Sequence, residues 1–199
     1  YLNTVSERWK NVICVGSGNE GTTAGHAAGE LESRMTTEVQ LAVQEREVSL
    51  NLQIWKSYAD IFSIRITHPS GKTVGIIRQL QGPQRFTIEG TQVLLYFGEP
   101  SPFSPFQEIY FDFLPVENYI DSGIYKITLI PEKIVTGAYN MWLPSLAVIG
   151  EATGFLYPTE ETTLTIPSTA YKVISVGAYD ARYNQVAAFS GRGFTRETN

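Results

Sequence analysis

The chain has 199 residues, 43% of them hydrophobic and 18% charged, with 17 Gly and 10 Pro; this is a globular composition, not a disordered, fibrous or membrane-spanning one. A net charge of −5 with no cluster of Lys and Arg argues against nucleic acid or an anionic membrane as partner. A single cysteine, Cys14, excludes an internal disulfide framework and a Cys-rich metal site.

Residues 1–9 (YLNTVSERW) read as the tail of a helix, and no basic stretch followed by an apolar one opens the chain, so no signal peptide is expected within it. Asn11–Gly16 (NVICVG) has the pattern of a strand that is apolar on both faces, as in a buried parallel sheet. Cys14 lies in the middle of it and is expected to be a small buried hydrophobe. Ser17-Gly18-Asn19-Glu20-Gly21 follows as a glycine-rich turn.

From Thr36 the pattern changes to extended runs of period two separated by turn residues. The runs are 37–44, 47–55, 61–67, 73–80, 85–89, 92–97, 108–114, 123–130 and 138–143. His68-Pro69-Ser70-Gly71-Lys72 reads as a hairpin connection, with His68 a solvated loop residue. The Pro-rich stretch 99–105 reads as a surface crossover loop. Strands at this spacing, with no helical period, predict an antiparallel sandwich of jelly-roll type. A second β-branched run, Lys172–Ala178, is the expected mate of the first strand, and Thr198-Asn199 ends the chain in a polar segment.

Two blocks carry a family resemblance. Ser17-Gly18-Asn19-Glu20-Gly21 after its strand resembles the turn that holds the oxyanion asparagine of the subtilisin-like serine proteases. Tyr171–Asp180 (YKVISVGAYD) followed by Ala188–Gly193 (AFSGRG) is similar to that family's next core strand and the loop after it. The long stretch between them departs from the usual family pattern and resembles the members of spore-forming anaerobes that act in germination, which carry an inserted jelly roll.

The resemblance implies a mainly β chain in which a jelly-roll-like sandwich, 31–162, is inserted between two segments, 1–30 and 163–199, of an α/β parallel-sheet core. It implies Asn19 as oxyanion donor, Ser17 and Gly18 as one wall of the pocket for the substrate side chain before the cut bond, and Glu20 near its floor. The implied partners are a peptide or protein substrate and the remainder of the protease domain, with no cofactor or metal. The implied location is secreted, cell-envelope or spore-associated.

The catalytic Ser, His and Asp are not expected in this chain. His26 lacks the family's surrounding sequence, and Ser190 is not followed by the motif that holds the nucleophile. Asp60, Asp112, Asp121 and Asp180 fall at strand edges or turns. Two other readings stand beside the protease: a non-catalytic relative that keeps the fold as a binding or regulatory module, and a carbohydrate-binding sandwich. The last rests on Trp55, Trp142, Tyr58, Tyr96, Tyr110 and Tyr139, most of which are more simply core residues.

Overall fold

A computed structural model describes residues 1–193; Thr198 and Asn199 lie outside the described residues. The first compact unit comprises Tyr1–Thr23 with Thr159–Asn199, and the second Ala24–Pro158.

In the first unit, helix α1 (Leu2–Trp9) precedes β1 (Cys14–Gly16). The second unit holds β2 (His26–Glu30), β3 (Thr37–Val43), β4 (Leu50–Ser57), β5 (Ile61–Thr67), β6 (Thr73–Ile77), β7 (Gln84–Ile88), β8 (Thr91–Phe97), β9 (Phe106–Pro115), β10 (Gly123–Lys133), β11 (Ala138–Trp142) and β12 (Gly154–Phe155). The chain returns to the first unit with β13 (Ile174–Val176), β14 (Tyr179–Asp180) and β15 (Gln185–Val186).

The second unit is two antiparallel sheets, in the order β12-β3-β10-β5-β6 and β2-β11-β4-β9-β8-β7. Strict alternation sends Leu50, Leu52 and Ile54 of β4 and Ile109, Phe111 and Phe113 of β9 into the interior. There they meet Ile64, Ile66, Tyr125, Ile127 and Leu129 of the other sheet in one core. Each such side chain contributes about 1.5–3 kcal/mol through burial.

Buried carboxylates fix the loops. Asp60 accepts the N–H groups of Val135, Thr136 and Gly137 at 2.6, 2.8 and 2.9 Å. Glu47 accepts from the Gly150 N–H at 2.7 Å and the Thr153 hydroxyl at 2.6 Å. These partners satisfy charges that would otherwise be costly to bury.

Three expectations are corrected here. The 99–105 stretch joins β8 to its antiparallel neighbour β9 within one sheet and so is not a crossover. His68 is 4% exposed, not solvated. Its ring turns under the hairpin, with Nε2 2.9 Å from Asp121 Oδ2 and its edge against Tyr125.

Cys14 is exposed, not core. β1 pairs in parallel with β13, Cys14 opposite Ile174 and Gly16 opposite Val176. This is a two-stranded sheet in which Ile174 and Val176 are each 54% exposed. A parallel sheet is normally covered on both faces, and among the described residues no such layers cover this one. Asn3 tethers α1 to the start of β13, accepting the Lys172 N–H at 3.0 Å, but no residue of the helix is buried.

Candidate functional site

The turn after β1 is anchored at both ends. The Ser17 N–H donates to the Val176 carbonyl at 2.9 Å, continuing the β1–β13 pairing, and the Ser17 carbonyl accepts from Thr165 N–H at 3.2 Å. Gly191 N–H donates to the Gly18 carbonyl at 3.0 Å, and Gly21 N–H donates to the Phe189 carbonyl at 3.0 Å. Asn19 is therefore held between two backbone bonds to the 189–191 loop. It is itself exposed, and among the described residues its side-chain amide has no hydrogen-bond partner.

The other expected site residues are placed as follows. Ser17 is buried and its hydroxyl faces that of Ser190 at 3.1 Å. Gly18 adopts φ +95°, which favours glycine, and a Cβ there would lie 2.3 Å from Thr165 Oγ1. A Cβ on Gly21 would lie 2.1 Å from the Ser190 carbonyl oxygen. The room beside these two glycines is thus filled by the chain's own backbone and side chains. Glu20 is half-buried, and its carbonyl accepts both the N–H and the hydroxyl of Thr23.

Ser190 and Gly191 complete the arrangement, and sequence reasoning did not give them this part. Ser190 Oγ also accepts the Ala178 N–H at 3.0 Å, so one hydroxyl joins the turn to the end of the second core strand. Gly191 passes so close to the Ser17 carbonyl that a Cβ would lie 2.2 Å from its oxygen. The two small residues after Phe189 were the available signal.

A Ser–His–Asp contact set does occur in the second unit, at the β5–β6 hairpin. Ser70 Oγ is 2.9 Å from His68 Nδ1, and Asp121 is on Nε2. The Ser70 backbone N–H also donates to Nδ1 at 3.1 Å. Nδ1 is therefore the unprotonated nitrogen and Nε2–H the donor to Asp121. The lone pair that would take a proton from Ser70 is already engaged by a backbone donor, and the imidazole is buried. This set ties a hairpin to the rest of the sandwich and lacks a free base.

Asp121 extends that tie, accepting also from Gly90 N–H at 2.7 Å and Thr91 Oγ1 at 3.3 Å. Its own carbonyl receives the Tyr125 hydroxyl at 2.9 Å. His26 is buried too, stacked on Trp142 at 4.8 Å between ring centres, with Nε2 3.1 Å from Asn140 Oδ1. Among the described residues no group of three or more His, Cys, Asp or Glu is placed to hold a metal ion.

Against solved structures, this chain is similar to the CspB protease of Clostridium perfringens. The match has a TM-score of 0.90 and 31% sequence identity, and it covers 98% of this chain and 40% of that one. No protein-family model and no curated protein matches. The fold is thus one found within a protease, and coverage this complete takes in both compact units. The chain spans less than half the length of the CspB protease, so the activity of any whole protein is a matter for proposal.

Proposed function

We propose that this chain is part of a subtilisin-like serine endopeptidase in which Asn19 stabilises the oxyanion. A serine, a histidine and an aspartate supplied outside the chain would form the triad. Peptide hydrolysis builds negative charge on the scissile carbonyl oxygen, and a side-chain amide held in place donates to it without reorganising. The observation that carries this reading is the placement of Asn19: exposed, with its amide free among the described residues, on a turn fixed by the Gly18–Gly191 and Gly21–Phe189 backbone bonds.

The likeness to a protease structure supports the same reading. Under it, Ser17 and Gly18 form a wall of the pocket for the substrate side chain and Glu20 lies near its floor. The second unit is then a jelly-roll domain inserted into the protease core. The bare faces of β1 and β13 are also accounted for, because further strands and helices of a protease domain would cover them.

The test is turnover of a panel of chromogenic peptides by the complete protein beside its Asn19→Ala variant, with fluorophosphonate labelling of both. The reading expects kcat to fall with KM little changed, while serine labelling persists. The scale is borrowed from subtilisin, where loss of the equivalent donor costs about 10²–10³ in kcat. Neither turnover nor labelling from a folded, processed parent would sink the reading and leave a non-catalytic relative.

A further inference from the structure

The two outer faces of the sandwich differ in chemistry. Outward positions of the five-stranded sheet mix polar residues such as Gln40, Arg65 and Thr128, and the Lys126–Glu38 ion pair at 3.2 Å, with scattered aliphatic ones, Ile61 and Ile124, and hold no row of aromatic rings. On the six-stranded sheet, Trp142, Gln53, Tyr110 and Tyr96 stand opposite one another on four successive strands. A second row on the same face holds Asn140, Trp55 and Glu108. With strands about 4.8 Å apart and a rise of about 3.4 Å per residue, the rings are spread over a patch roughly 14 Å by 7 Å.

This patch is built, not merely apolar. The parallel stack of His26 on Trp142 fixes the indole, and His26 Nε2 beside Asn140 Oδ1 fixes the amide. Burial alone pushes the Glu108 and Asp112 carboxyls up, so both are already partly withdrawn from water in the free protein. We propose that this face binds a neutral pyranose oligosaccharide, whose C–H faces stack on Trp142, Trp55 and Tyr110 while Gln53, Asn140 and Glu108 bond its hydroxyls.

The chemistry selects this ligand over others. Sugar hydroxyls both donate and accept, which suits amides and carboxylates set between flat rings. A nucleic acid would meet Glu108 and Asp112 with no lysine in either row. An apolar protein segment laid over the patch would strand Gln53 and Glu108 without partners, at about 1–3 kcal/mol for each group. Fixing the rings beforehand lowers the ordering cost of binding. The inference does not depend on the protease reading.

The experiment is titration of the protein with chitotetraose, cellotetraose and maltotetraose, read by tryptophan fluorescence in a Trp9→Phe background and by saturation-transfer NMR. Saturable binding of at least one is expected, weakened about tenfold by Trp55→Ala or Tyr110→Ala and unchanged by Thr128→Ala on the opposite face. If an alanine variant unfolds, Gln53→Ala and Glu108→Gln carry the same expectation of weakened binding. No saturable signal from the folded protein would overturn the proposal. So would binding indifferent to all four changes, or cross-linking that finds another protein segment seated on Trp55 and Tyr110.

Discussion

The Ser190 hydroxyl lies 3.1 Å from that of Ser17 and accepts the Ala178 N–H at 3.0 Å, so a single oxygen ties the Asn19 turn to the strand end beyond β13. Ser190→Ala strips that half-buried N–H of its acceptor and is expected to cost about 0.5–1.5 kcal/mol. If the turn carries the oxyanion donor, the variant also loses turnover in the complete protein without losing fluorophosphonate labelling. A denaturation midpoint equal to that of the wild type would show that the hydroxyl is dispensable.

Gly191→Ala is expected to be the harsher change. The added Cβ would meet the Ser17 carbonyl at 2.2 Å, a backbone atom with no flexible end to swing away. Either the turn or the 189–191 loop must shift, and the Gly191-to-Gly18 hydrogen bond goes with it. The measurement is thermal unfolding beside Gly16→Ala. Neither glycine has a positive φ, and Gly16 has open space around it, so the difference between the two isolates the steric part.

Each of the nine extended runs read from the sequence holds a strand, though 47–49 and 78–80 fall outside β4 and β6, because alternation at places such as Leu50, Leu52 and Ile54 is a local pattern that a sheet with one buried face imposes. β2 was not legible: His26-Ala27-Ala28-Gly29-Glu30 has little strand propensity and is held by pairing with β11. Burial also depends on what covers an element, and nothing in Cys14's neighbours reveals that. The Asn19 turn was legible as a motif, yet its clamp comes from residues about as distant in sequence as Ser17 and Ser190, which are 173 apart. His68 was read as solvated for the same reason, since its partner Asp121 lies 53 residues on.

His68→Ala is therefore predicted to destabilise the sandwich, leaving Asp121 without one donor and the Ser70 N–H without its acceptor. The expected cost is about 1–3 kcal/mol. Ser70→Ala removes an exposed hydroxyl whose contact with Nδ1 is shared with the Ser70 backbone N–H, and should stay within about 0.5 kcal/mol of wild type. Urea unfolding of the two variants separates a structural tie from a relay: only a relay would give Ser70→Ala a phenotype out of proportion to its stability, in fluorophosphonate labelling at that serine.

Lys56 and Tyr125 give the sandwich a pH dependence on the alkaline side. Burial pulls the Lys56 ammonium from 10.5 down to about 8, although it donates to the carbonyls of Ser57 and Asp60 and lies over the Phe62 ring. The unfolded chain then binds more protons than the folded one between those values, so stability rises from about pH 8 to 10.5. Tyr125 has the opposite sign. Burial pushes its hydroxyl from 10.0 up to about 12, the folded state keeps the proton longer, and stability falls across that interval. The two intervals overlap, and the net curve should rise to about pH 10 and then bend downward. Urea midpoints measured from pH 7 to 12 test this, with Lys56→Met expected to lose the rise and Tyr125→Phe the fall. A Lys56→Met curve parallel to wild type below pH 10 would mean that the buried amine keeps an ordinary affinity for its proton.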